Sequence, residues 1–79
     1  MSSHFHLYLR EWREHRHLSQ TVLAHRISST ASAISRIETG QRDFSGRMLF
    51  LLAVALDCHP ADLFSPPPQR LIIFSEAPR

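Results

Sequence analysis

The sequence predicts an all-α fold, and three observations carry that reading. Apolar residues recur at helical spacing along most of the chain, a serine, threonine or proline stands where each later stretch would begin, and only one run favours a β-strand. In the first stretch, HFHLYLREWREHRHL, residues Phe5, Leu9, Trp12 and Arg16 share a face, which predicts an amphipathic helix ending near His17. In SQTVLAHRI, Ser19 is a candidate N-cap, and Leu23, Ala24 and Ile27 form the inner face of a short second helix. The three hydroxyl residues of SST compete for backbone hydrogen bonds, so they make a poor helix interior and a good turn. Thr30 would cap a third helix, with Ile34 and Ile37 facing inward and Gly40 closing it. Ser45 would cap a fourth, GRMLFLLAVALD, which is apolar almost all round and is expected to be the most buried. Pro60 and Asp62 occupy the first turn of a fifth, short helix, where a missing N–H and a negative charge are both tolerated. After SPPP, the run RLIIFSE, Arg70 to Ser75, favours a strand but has no second strand to pair with. The expected organisation is a domain over residues 1–65, followed by a Pro-rich spacer and strand over 66–79.

Composition bounds what such a domain can do. A chain of 79 residues makes one domain with little core to spare. It contains no lysine, so all nine positive charges are arginine, against seven acids, for a net charge of +2. Residues 1–47 hold seven arginines and four acids, while residues 48–79 hold two and three, so the basic character lies in the first half. The lone Cys58 permits no internal disulfide, and neither a signal peptide nor a membrane-length apolar run is visible; a soluble, cytoplasmic protein is expected. Six histidines include the pairs His4 with His6 and His15 with His17. Residues two apart on a helix point about 200° from each other, and one cysteine cannot build a structural zinc site, so no metal and no cofactor are expected. No nucleophile and base, phosphate loop or carboxylate pair stands out, and no enzyme is expected.

Two short helices joined by a tight turn, the second with a small polar outer face, match the helix-turn-helix arrangement that lays its second helix in the major groove of DNA. Burial of Ile34 and Ile37 leaves Ala31, Ser32, Ser35, Arg36 and Thr39 outward. Small side chains let the helix approach base edges closely; an alanine methyl can touch a thymine methyl, serine can donate or accept, and Arg36 can reach guanine O6 and N7. Ser19, Thr30 and Thr39, at helix ends, are candidate phosphate contacts.

These residues also resemble a known family. The segment Leu18 to Phe64 contains Leu18-Ser19-Gln20, Leu23-Ala24, Ile34-Ser35-Arg36-Ile37-Glu38-Thr39-Gly40 and Leu52-Ala53-Val54-Ala55-Leu56, and it is similar to the Cro/C1-type helix-turn-helix regulators, the lambda-repressor-like or XRE family. The resemblance implies a five-helix DNA-binding domain. It implies that Gln20 contacts phosphate and outer bases, that Arg42 contacts phosphate, and that Arg13 pairs with Glu38 to tie the first helix to the reading helix. Two positions depart from the family pattern. Ser28 stands where the turn usually has glycine, and Phe44 where the loop usually has proline.

An unpaired apolar strand is an aggregation hazard unless it finds a partner. Leu71, Ile72, Ile73 and Phe74 are therefore expected to pair with the same strand of a second molecule, giving a two-fold homodimer and an inverted-repeat operator. The functional expectation is a sequence-specific repressor acting on double-stranded DNA; the alternative is an antitoxin or other protein-binding module, with a protein partner and autoregulatory DNA binding.

Overall fold

A computed structural model of the chain describes residues 7–68. They form four α-helices, α1 (Leu9–His15), α2 (Gln20–Arg26), α3 (Ala31–Glu38) and α4 (Gly46–Ala55), followed by a 3-10 turn, Pro60–Phe64. Three of the four start at the expected caps: the hydroxyl oxygens of Ser19, Thr30 and Ser45 accept from the backbone N–H groups of Val22, Ala33 and Met48 at 3.0, 3.1 and 3.0 Å.

One core joins all the elements. Leu9, Leu23, Ile34, Leu52, Leu56 and Leu63 are fully buried, so every element contributes at least one aliphatic side chain, counting Leu56 with α4 as its C-cap. Leu7, ahead of α1, is buried with them, and Phe44 packs half-buried against the cluster where the family pattern has proline. The two ends of the described chain are sewn together by polar contacts over this core. The Tyr8 N–H donates to the Leu63 carbonyl at 2.8 Å, and the Trp12 indole N–H is shared between the carbonyls of Asp62 and Ser65 at 3.0 and 2.9 Å.

All four helices end in the same way. In each, the residue after the C-cap has positive φ, namely His17 (59°), Ser28 (56°), Gly40 (79°) and Asp57 (56°). The next residue's N–H returns to the carbonyl five positions back, from Leu18 to Arg13, Ser29 to Ala24, Gln41 to Arg36 and Cys58 to Ala53, at 2.8–3.0 Å. This is the Schellman closure, which satisfies carbonyls that a helix end would otherwise orphan. Only one of the four positions is glycine, so the chain accepts left-handed backbone at three residues with a Cβ.

Several expectations need correction. The first helix stops at His15, and His17 is its left-handed closure; Arg16 is the C-cap and leaves the apolar face to lie 5.5 Å over the Trp12 ring. The fifth helix is a 3-10 turn rather than an α-helix, giving four α-helices. Its bonds run three residues back, from Asp62 to His59 and from Ser65 to Asp62. Pro60 at the first position is compatible with either kind of helix, but Pro66 to Pro68 carry no N–H to return to the carbonyls of residues 62 to 64, so an α-helical ladder cannot continue there. Nor is α4 buried all round: Phe50 is 57% and Val54 62% exposed, because the described elements pack on its other side. The expected strand Leu71 to Phe74, like Phe5, lies outside the described residues, and no strand occurs among those described.

Ser28 is exposed and strained, whereas glycine would meet the same backbone without a Cβ clash. Ser28→Gly is expected to stabilise the fold by about 0.5–1 kcal/mol, the relief of strain being partly offset by a freer unfolded chain. Urea unfolding checks it, and Gly40→Ala, at φ 79°, should shift the midpoint in the opposite direction.

Candidate nucleic-acid interface

The site is the pair α2 and α3 with the turn between them. Ser29 turns its N–H back onto Ala24, and Thr30 caps α3, so the turn is held from both sides. Ala33, Ile34 and Ile37 are buried, which fixes the rotation of α3 about its axis. Ser32, Arg36 and Thr39 are left exposed, and Ala31 and Ser35 half-exposed, in the arrangement expected from the apolar spacing. The Thr39 hydroxyl is folded onto its own helix, shared between the carbonyls of Ser35 and Arg36 at 3.1 and 3.3 Å, so its methyl is the part offered outward. The hydroxyls of Ser19 and Thr30 accept from their own helices and keep their protons available to donate.

Behind this face lies a buried charge. The Glu38 side chain is only 3% exposed, and Arg13, 12% exposed, reaches it from α1 with Nε to Oε2 at 2.6 Å and Nη2 to Oε1 at 3.3 Å. This bidentate geometry makes the hydrogen bond to Glu38 the main reason that the Arg13 guanidinium is held above its ordinary pKa. Nη1 of Arg13 donates to the Leu18 carbonyl at 2.9 Å, and the Gln20 amide N–H donates to Glu38 Oε1 at the same distance. Thus α1, the loop before α2, the start of α2 and the end of α3 meet at one carboxylate. Gln20 therefore has one amide N–H engaged inward, and its amide oxygen accepts no bond from the described residues and is left for an outside donor.

The arginines divide into two groups. Arg13 serves Glu38, and Arg10 pairs with Glu14 on the surface at 3.2 Å. Arg16 donates to the carbonyls of Leu56 and Asp57 at 2.7 and 3.0 Å, and Arg26 to that of Ala55 at 3.5 Å, so both cap the C-terminus of α4. Arg36, Arg42 and Arg47 are exposed, and their side chains make no hydrogen bond or ion pair among the described residues. Arg42 is brought to the end of α3 by its own N–H, which donates to the Arg36 carbonyl at 3.2 Å. Unpaired positive charge thus collects at the end of α3 in Arg36 and Arg42, while Arg47 stands in the first turn of α4. The roles of Arg16 and Arg26 were not read from the sequence; the one signal was an arginine four residues after Trp12 on an apolar face.

Cys58 is half-buried, and burial, followed by Asp62, pushes its thiol up from its ordinary pKa, the reverse of what an activated thiolate needs. Among the described residues no group of three or more metal-ligating side chains gathers, and no helix is long and apolar enough to cross a membrane.

A helix-turn-helix family model matches residues 9–63, from the start of α1 into the 3-10 turn. The chain belongs to the Cro/C1-type, or XRE, helix-turn-helix family. Among solved structures, the restriction-modification controller protein C.AhdI from Aeromonas hydrophila is 39% identical, with a TM-score of 0.69, over 71% of this chain and 81% of that one. The DNA-binding domain of the phage P22 C2 repressor is 26% identical, with a TM-score of 0.70, over 77% of this chain and 84% of that one. Among curated proteins none matches. As a member of the XRE family, the protein is a DNA-binding transcriptional regulator.

Removing one partner of the buried pair strands the other. Arg13→Ala is expected to cost about 2–4 kcal/mol by leaving the Glu38 carboxylate buried and short of donors. The double variant R13M/E38M should recover most of that loss in thermal unfolding, whereas equal instability of single and double variants would mean that the charge pair itself, and not a stranded carboxylate, sets the stability.

Proposed function

We propose that the protein is a homodimeric repressor that binds an inverted-repeat operator, with the helix 30–39 in the major groove. The observation that carries the reading is the pairing of a small-residue outer face on α3 with unpartnered arginines beside it. Ala31, Ser32, Ser35 and Arg36 form the base-reading set, with Gln20 at the edge offering its amide oxygen. Ser32 and Ser35 are short, so α3 can seat deeply enough for the longer Arg36 to span to a guanine edge. Ser19, Thr30 and Arg42 take phosphates: the two hydroxyls as donors at helix starts, and Arg42 as a charge that releases counterions. Thr39 stands at the edge of this set through its methyl, and its hydroxyl would have to leave its own helix to reach a phosphate.

Repression follows from occupancy of the operator. The similarity to a restriction-modification controller and to a repressor's DNA-binding domain supports a regulator whose own concentration sets its action. A two-fold dimer presents two reading helices about one DNA turn apart, which requires an operator of matching symmetry.

Selection of bound sequences from a random duplex library at about 150 mM salt, where purely electrostatic binding is suppressed, tests the reading. An enriched inverted repeat is expected; enrichment of a single half-site would remove the dimer, and no enrichment would remove sequence-specific regulation. On the selected operator, Arg36→Ala should lose about 1–3 kcal/mol of discrimination at particular base pairs. Arg42→Ala should weaken binding to specific and random DNA alike and lower the salt slope by about one.

A further inference from the structure

We propose that two copies associate through the outer face of α4, antiparallel about a two-fold axis, with Phe50 of one copy against Val54 of the second and Arg47 against Asp57. The proposal rests on the homodimer reading above and supplies its surface from the described residues.

Phe50 and Val54 stand one turn apart on α4 and are more than half exposed, at 57% and 62%, with Leu51 half-buried beside them. An exposed phenylalanine and valine side by side, on the far side of the helix from the buried Leu52, Ala53 and Leu56, form a continuous apolar stripe rather than scattered surface residues. Arg47 and Asp57 bracket the stripe, both exposed, and neither side chain forms an ion pair among the described residues.

The order of these four residues is self-complementary. Phe50 and Val54 lie symmetrically about Leu52, and so do Arg47 and Asp57. A two-fold axis passing beside Leu52 therefore matches Phe50 with Val54 and Arg47 with Asp57, each pair occurring twice, as an isologous interface demands. A parallel arrangement would instead set arginine beside arginine and aspartate beside aspartate.

The helix dipole favours the same geometry. Arg47 lies in the first turn of α4, where the positive end of the dipole disfavours a cation, and Asp57 lies just beyond the last turn, where the negative end disfavours an anion. Arg16 and Arg26 answer the C-terminal carbonyls but leave the Asp57 carboxylate unpaired. An antiparallel second copy brings each misplaced charge to the opposite end of its neighbour's helix, where the dipole favours it. The 3-10 turn cannot provide this, since it packs on the inner side of α4 through Leu63.

The test is sedimentation equilibrium of the full chain at micromolar concentrations, with circular dichroism confirming that each variant folds. A wild-type dimer is expected, and Phe50→Glu, at an exposed position that leaves the core intact, should be monomeric over the range in which the wild type is dimeric. Arg47→Glu and Asp57→Arg should each weaken dimerisation by about 3- to 30-fold, because each ion pair occurs twice. The double variant R47E/D57R should recover to within about three-fold, since it exchanges the partners without losing the pair. A Phe50→Glu protein as dimeric as the wild type overturns the proposal and moves the interface elsewhere, the tail residues Leu71 to Phe74 included. Failure of the double variant to recover overturns the antiparallel register. A monomeric wild type overturns both this surface and the homodimer reading, whereas DNA selection reports on the reading helix separately.

Discussion

A carboxylate with 3% of its side chain exposed is tolerable only if donors surround it, and the fold supplies them to Glu38 from two other elements. Arg13 approaches from α1 and Gln20 from the first residue of α2, while a third nitrogen of Arg13 holds the loop carbonyl of Leu18. The reading helix is therefore anchored at its C-terminal end by a polar contact of fixed geometry, and along its length by Ile34 and Ile37. Burial of Ile34 and Ile37 sets which face of the helix turns inward, and the bidentate ion pair narrows the roll that remains. The direction in which Ser32 and Arg36 project is set by that contact together with the buried isoleucines, although neither residue touches the ion pair.

The four Schellman closures give the same precision to the chain's direction. Each takes the backbone sharply away from a helix within two residues, so helices of seven to ten residues can be packed with short connections. Three of them use residues with a Cβ, and the strain at His17, Ser28 and Asp57 is sustained by the paired return bonds and by the core beneath. Leu18 and Cys58, the residues that follow two of these turns, are half-buried against the core, so the turn that closes a helix also seats the next segment.

The inner faces of α2 and α3 and the caps Ser19, Thr30 and Ser45 were legible in the sequence because both signals are local: a 3.6-residue period and a hydroxyl at the start of each run. The outward set on α3 followed from the same period. What the sequence did not carry were contacts between distant positions and the total coverage available to each element. Arg16 finds its acceptor 40 residues away and Arg26 29 residues away, both at the carbonyls that end α4, and no spacing rule links those positions. The apolar circumference of α4 read as deep burial, yet none of the described elements covers Phe50 and Val54; hydrophobicity records what a helix tolerates, and only the topology says which side is covered. Pro60 marked the start of the last element correctly, but the prolines at 66 to 68 deny the segment the donors that would carry an α-helix past its first turn. The inward turn of the Gln20 amide was hidden for a related reason, since the residue stands at a helix start that the family uses for DNA.

The absence of lysine ties these features together. In a domain with so small a core, Arg13, Arg16 and Arg26 join Trp12 and Gln20 in connecting the elements beyond apolar packing, each arginine reaching from one helix to the end of another. A guanidinium can do this because its nitrogens lie in one plane at fixed angles, so a single side chain serves Glu38 and Leu18 together, or Leu56 and Asp57 together. An ammonium has three donors but all on one nitrogen, so it lacks the fork that spans two separated acceptors. The same planarity that locks the helices suits the bidentate edge of guanine, so one residue type provides both the frame behind α3 and the reach of Arg36 in front of it. The division between the two roles is made by position alone: among the described residues, arginines on α1 and α2 find acceptors within the fold, whereas Arg36, Arg42 and Arg47 do not.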